Sequence, residues 1–152
     1  MWTKVKSLTL SRILVIAMFI LLIAGLVFIP YISKWFECIS TGKGFFEGSI
    51  FVPVCILLYV SDVFALTAVS ALYILLRNIA SDKVFIPTNT KCLRIISWCC
   101  VMAGITYIVF SPWRYEFLFA AFFAEFLGLI LRVLKNVFEE AVEIKSENDY
   151  TV

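Results

Sequence analysis

The stretch ILVIAMFILLIAGLVFI at residues 13–29 decides the fold, because it holds no charged residue over a length that can cross a lipid bilayer. A secretory signal peptide has a shorter apolar region, which is followed by a cleavage site of small residues. Here Pro30, Tyr31 and Trp35 follow the run instead. The pattern therefore predicts a retained transmembrane helix that ends near Pro30.

Three further apolar runs follow, at residues 50–76, 92–110 and 115–134. Only residues 111–114 separate the last two runs, and so short a connection permits nothing but a tight turn between antiparallel neighbours. The fold predicted for residues 1–152 is a single all-α domain, an integral membrane antiparallel four-helix bundle. The predicted helices span about residues 12–30, 50–77, 91–110 and 115–144, and a polar tail follows at 145–152.

The chain changes character after Leu134, where apolar and charged residues begin to alternate at helical spacing. The apolar positions are Val137, Phe138, Ala141 and Ile144, and the charged ones are Lys135, Glu139, Glu140 and Glu143. This pattern is typical of an amphipathic helix. We therefore expect helix 4 to extend beyond the bilayer into the cytoplasm.

The composition excludes several classes of protein. Hydrophobic residues make up 62% of the 152 residues and charged residues 16%, which excludes a water-soluble domain. A net charge of +2 is too small for direct nucleic-acid binding. The chain has no His, and its five Cys form no C-x-x-C pair. Since catalytic motifs are also missing, we predict a non-enzymatic protein without a metal or cofactor.

The cationic residues predict the orientation of the helices. Ten of the 13 Lys and Arg residues would share one side of the bilayer with both termini. These are Lys4, Lys6, Arg12, Arg77, Lys83, Lys91, Arg94, Arg132, Lys135 and Lys145, whereas Lys34, Lys43 and Arg114 lie on the other side. By the positive-inside rule, both termini are expected in the cytoplasm.

Two carboxylates, Asp62 and Glu125, interrupt the second and fourth apolar runs at similar depth. An acidic residue near the middle of a bilayer costs about 2.5–3.5 kcal/mol unless it is neutralised or paired. Each is therefore expected to face the bundle interior, to be protonated, or to accept hydrogen bonds from Ser61, Thr67, Thr106 or a tyrosine. Two interpretations stay open: a proton or cation site, and a protonated acid that joins helices.

Several segments resemble a bacterial family of small four-helix membrane proteins of unknown function, the YoaS-like family. They are Asp82-Lys83-Val84-Phe85, Leu93 to Trp98, Leu127 to Asn136, Ala141 to Lys145 and Glu147 to Val152. The resemblance is strongest from about Arg77 to Val152. Family members often carry a glycine at the position of Asp82, and because Asp tolerates the left-handed conformation, the same turn is expected here.

The resemblance implies a protein of the bacterial inner membrane that is encoded beside a small helix-turn-helix regulator. We expect this chain to bind or signal to such a cytosolic DNA-binding protein through its acidic end. The expected contact residues are Phe138, Glu139, Glu140, Glu143, Glu147 and Asp149. The alternative is a small homo-oligomeric transporter or proton-coupled exporter that uses Asp62 and Glu125.

Overall fold

The computed structural model describes residues 4–40, 44–46 and 48–150, with side chains for residues 6–40, 44–46 and 48–147. Lys43 lies outside these residues, and so does the side chain of Asp149. The helices are α1 (Lys4–Ile39), α2 (Phe51–Ala80), α3 (Pro87–Phe110) and α4 (Glu116–Tyr150). The described residues contain no strand, so the prediction of an all-α fold with four helices is confirmed.

Each of the four helices is long and apolar enough to cross a membrane. Large apolar side chains also cover much of the outer surface: Leu21 is 71% exposed and Phe119 is 73% exposed. Such a surface is unfavourable in water and favourable against lipid tails. In a helix every backbone hydrogen bond is made within the segment, as lipid requires. The chain therefore fits a multi-pass membrane protein.

Three predicted helix boundaries are wrong. Helix α1 continues through Pro30 to Ile39, because membrane helices tolerate the lost backbone hydrogen bond of a proline better than helices in water do. Helix α3 begins at Pro87 and not near residue 91, since proline suits the first position of a helix. Helix α4 reaches Tyr150, so residues 145–150 are not an irregular tail. No Gly or Pro interrupts them.

The helices pack in chain order, α1 on α2, α2 on α3 and α3 on α4. Two clusters of buried side chains lie in these contacts. One contains Ala71, Leu75, Cys92, Leu93 and Ile96, and the other contains Ile50, Val54, Leu57 and Phe117. In the described parts of the chain, α1 and α4 have no Cα atoms within 8 Å of each other. The two outer helices are thus separated by a gap along much of their length.

Polar contacts close one end of the helices, which we call the Trp113 end. The Glu37 carboxylate accepts hydrogen bonds from the Ser49 hydroxyl at 2.6 Å and from the backbone N–H of Ile50 at 3.1 Å. It therefore joins α1 to the beginning of α2. Arg114 Nε donates to the Ser40 hydroxyl at 3.0 Å, which joins the end of α1 to the turn before α4.

A buried asparagine organises the other end, which we call the Asn89 end. Asn89 is fully buried, and its amide nitrogen donates to the carbonyls of Lys83 at 2.8 Å and Val84 at 2.6 Å. Its amide oxygen accepts a hydrogen bond from Asn78 at 2.8 Å. Asp82 has a φ of 56°, so the expected left-handed turn is present. These bonds fix the α2–α3 connection.

Candidate site around Asp62

A cavity of about 430 Å³ lies in the gap between α1 and α4. Its walls include residues of all four helices, and small residues of each helix leave it open: Gly25, Ala65, Ala68, Ala103 and Ala124. Phe36 and Phe117 stack with ring centroids 5.8 Å apart and bridge α1 and α4 towards the Trp113 end. The cavity therefore follows from small side chains in the middle of the helices and large ones near an end.

Two polar residues of α2, Ser61 and Asp62, line the cavity. Asp62 Oδ2 and Ser61 Oγ are both buried without a hydrogen-bond partner. On the opposite wall, Gly25 of α1 comes near the other carboxyl oxygen, since a Cβ atom there would lie 4.0 Å from Asp62 Oδ1. Buried polar atoms in proteins are nearly always hydrogen-bonded, so these two oxygens are exceptional.

The rest of the cavity wall is almost entirely apolar. Leu22, Ile29 and Leu58 lie in it, together with the aromatic rings of Phe64 and Tyr107. The wall, as far as the structure describes it, contains no Lys or Arg. An ionised Asp62 would therefore have no cation of the chain beside it, which leaves its charge available to a cationic ligand or to a proton.

Glu125 has different surroundings from Asp62. Its side chain lies on Gly104 of α3, where a Cβ atom would come within 2.7 Å of Glu125 Oε1 and 2.8 Å of Glu125 Cγ. One turn further along α4, the carbonyl of Gly128 accepts a hydrogen bond from Ser97 at 2.9 Å. Gly104 and Gly128 thus let α3 and α4 pack closely. None of the contacts in the described parts of the chain joins Glu125 to Asp62.

The hydroxyl groups expected to stabilise the two carboxylates bond elsewhere. Thr67 donates to the carbonyl of Val63 at 2.9 Å, and Thr106 donates to the carbonyl of Met102 at 2.8 Å. Both bonds return to the preceding turn of the same helix, a common arrangement for threonine in a membrane helix. The expectation that these two threonines donate to Asp62 or Glu125 is therefore wrong.

The acidic residues at the end of α4 divide into two groups. Phe138 packs on the cluster around Leu93, and its ring centroid lies 5.9 Å from that of Phe85. Glu139 pairs with Arg94 at 3.2 Å and with Lys135. These contacts already use both residues within the chain. The side chains that stay exposed in the remaining group are Glu140, Glu143 and Glu147.

The chain matches the family model described as "Protein of unknown function (DUF2975)" over residues 47–152. A search of curated proteins and a search of solved structures each found no match. The family match begins before α2 and so includes Asp62, whereas the resemblance seen in the sequence was strongest only after Arg77. Since the match covers most of the chain, this protein belongs to the DUF2975 family of proteins of unknown function.

Proposed function

We propose that this protein is a small transporter that binds a hydrophobic monovalent cation at Asp62 and exchanges it for a proton. It would lie in the bacterial inner membrane as an antiparallel bundle with both termini in the cytoplasm. Several copies would assemble, because four helices are too few to enclose a path across the membrane. The amphipathic end of α4 would extend into the cytoplasm.

One observation supports this proposal above the others: Asp62 Oδ2 is buried without a partner in a cavity of about 430 Å³. A carboxylate in apolar surroundings favours its neutral, protonated form until a cation arrives. A bound cation would restore the charge balance and release the proton. The rings of Phe64 and Tyr107 in the wall suit a cation with apolar substituents.

The polar contacts at the two ends support the proposed topology. The Trp113 end joins residues of the α1–α2 and α3–α4 connections, since the backbone N–H of Phe45 donates to the carbonyl of Pro112 at 2.6 Å. The Asn89 end contains the α2–α3 connection. By the positive-inside rule, the Asn89 end is the cytoplasmic one, because Arg77, Lys83 and Lys91 lie there.

Flux into proteoliposomes tests the proposal. The full-length protein is reconstituted with a pH gradient across the vesicle, and uptake of radiolabelled benzyltrimethylammonium is measured. We expect Asp62→Asn to abolish gradient-driven uptake, because an amide holds no exchangeable charge. Glu125→Gln is the matched control: it removes an intramembrane carboxylate on Gly104, outside the cavity, and should retain uptake.

The amount of folded protein in each vesicle preparation is checked by circular dichroism and by gel filtration before reconstitution. Equal uptake by the original protein, by Asp62→Asn and by empty vesicles would contradict transport at Asp62. Loss of uptake in both carboxylate variants would contradict the assignment of the site to Asp62 alone.

Binding of a cytosolic helix-turn-helix regulator is a second candidate function, favoured by the exposed face formed by Glu140, Glu143 and Glu147. A basic DNA-binding surface would complement this face. The test is co-expression with the helix-turn-helix protein encoded nearest to this gene. A variant with all three glutamates changed to Gln should lose the co-purified protein, whereas Glu139→Gln, which alters an internal pair, should retain it. Equal recovery from both variants would count against the regulator.

A further inference from the structure

A second cavity, of about 290 Å³, lies between α3 and α4 and is separate from the Asp62 cavity. Three of its six lining residues are cationic, namely Arg94, Arg132 and Lys135, and the others are Ser97, Trp98 and Asn136. Arg94 and Arg132 both lie inside helices that are long and apolar enough to span a membrane. Cations at such positions are costly in lipid and are usually retained for a function.

The carboxylate that faces these cations balances only part of their charge. Glu139 accepts a hydrogen bond from Arg94 at 3.2 Å and another from Lys135. The Lys135 side chain is only 15% exposed, and its ammonium also donates to Asn136 Oδ1 at 3.2 Å. Three cationic groups thus share one carboxylate, so the cavity keeps an excess of positive charge.

Arg132 is the cation of this cavity that has no acidic partner. In the part of the chain that the structure describes, no carboxylate pairs with it. Its guanidinium carbon instead lies 4.8 Å from the centre of the Trp98 ring, which is 49% exposed. An arginine stacked on an aromatic ring keeps its N–H donors available at its edge. Those donors suit the oxygens of a phosphate group.

We propose that this cavity binds a phosphate monoanion or diester, with Arg132 as its principal ligand and Arg94 and Lys135 as supporting cations. Basic pockets between transmembrane helices bind the headgroups of anionic lipids, and a soluble phosphate ester offers the same oxygens. The site is independent of the transport proposed for Asp62, because it involves other residues and another pair of helices.

Native mass spectrometry of the full-length protein in detergent tests this site. The protein is titrated with phosphatidylglycerol and, separately, with phosphatidylcholine. We expect preferential retention of phosphatidylglycerol and a roughly fivefold weaker affinity in Arg132→Gln, which loses one cation near the headgroup. Arg77→Gln is the matched control, since it removes an exposed arginine of α2 outside this cavity. It should bind as tightly as the original protein.

A change of opposite sign sharpens the test. Glu139→Gln removes the carboxylate that competes with a phosphate for Arg94 and Lys135, so the affinity should rise about fivefold. Arg132→Lys keeps the charge and should retain part of the affinity even if Arg132→Gln folds poorly. A merely structural role of these residues would not produce opposite changes in lipid affinity.

Competition with glycerol 3-phosphate identifies the source of the phosphate. If millimolar glycerol 3-phosphate leaves lipid binding unchanged, the natural ligand is a lipid headgroup; if it displaces the lipid, the site accepts a soluble phosphate ester. Both results support a phosphate site. Equal affinities of the original protein, Arg132→Gln and Glu139→Gln would overturn it, and so would an equal loss in Arg77→Gln.

Discussion

The contact between α3 and α4 and the Asp62 cavity treat buried polar groups in opposite ways. In the α3–α4 contact, the Ser97 hydroxyl is bonded to the Gly128 carbonyl, and the Glu125 side chain fills the space over Gly104. In the cavity, the Ser61 hydroxyl and one oxygen of Asp62 have no partner. Because an unpaired polar group is costly in lipid, packing explains the first region, whereas the second calls for a ligand that binds and leaves.

The largest expected effect comes from placing the same side chain in each region. Gly128→Leu should lower the free energy of unfolding by about 3 kcal/mol, because a Cβ atom there would already lie 2.9 Å from Val101 Cγ2. Gly25→Leu should change it by less than about 1 kcal/mol, because its side chain can enter the cavity. Unfolding by sodium dodecyl sulfate in mixed micelles, followed by circular dichroism, measures both.

The comparison breaks if the two leucine variants lose equal stability, since the cavity would then be as closely packed as the contact between α3 and α4. Gly25→Leu has a second consequence. It fills the space beside Asp62 and should therefore abolish uptake of benzyltrimethylammonium while the protein stays folded. Normal uptake by this variant would place the transported cation elsewhere.

A second prediction concerns the sign of a stability change. Asp62→Leu should raise the free energy of unfolding by about 2 kcal/mol, because it replaces a buried oxygen that has no partner with apolar surface. Glu125→Leu is the matched change in the other region and should lower stability, since a branched side chain does not fit flat over Gly104. A destabilised Asp62→Leu variant would show that Asp62 contributes to folding and not to binding.

The four helices could be predicted from the sequence, because a long run without charge has few stable alternatives to a helix in lipid. Their ends could not be. Pro30 ends most helices in water, but α1 continues past it. The polar residues after Ile144 predict an irregular tail, yet α4 includes them as far as Tyr150. Local sequence gives the cost of breaking or continuing a helix, and the surroundings decide whether that cost is met.

The charges of Asp62 and Glu125 identify both as unusual residues of their apolar runs, but only the structure separates them. Glu125 lies on Gly104 because α3 and α4 approach closely, whereas Asp62 lines a cavity because α1 and α4 do not. The distance between two helices depends on residues far apart in the chain. Gly25 was the available signal, and it could not be paired with Asp62 without knowing that α1 faces α2.

A double-mutant cycle measures the close fit of Gly104 and Glu125. Gly104→Ala alone should cost about 1 kcal/mol, because the new methyl group displaces the Glu125 side chain. Glu125→Ala alone leaves a space over Gly104 and should also destabilise the protein. In the double variant the alanines fill part of that space, so its loss should be smaller than the sum of the two single losses. Strict additivity would mean that the two residues do not share this contact.

The smallest expected effect compares two serines that differ in whether they have a partner. Ser97→Ala removes the hydrogen bond to the Gly128 carbonyl and should cost about 0.6 kcal/mol, the average for such bonds between membrane helices. Ser61→Ala removes a hydroxyl that has no partner, so stability should stay unchanged or rise slightly. Uptake of benzyltrimethylammonium should fall only in Ser61→Ala, because that hydroxyl lines the cavity. If Ser61→Ala costs as much stability as Ser97→Ala, the Ser61 hydroxyl has a structural partner, and the Asp62 cavity loses one of its two free polar groups.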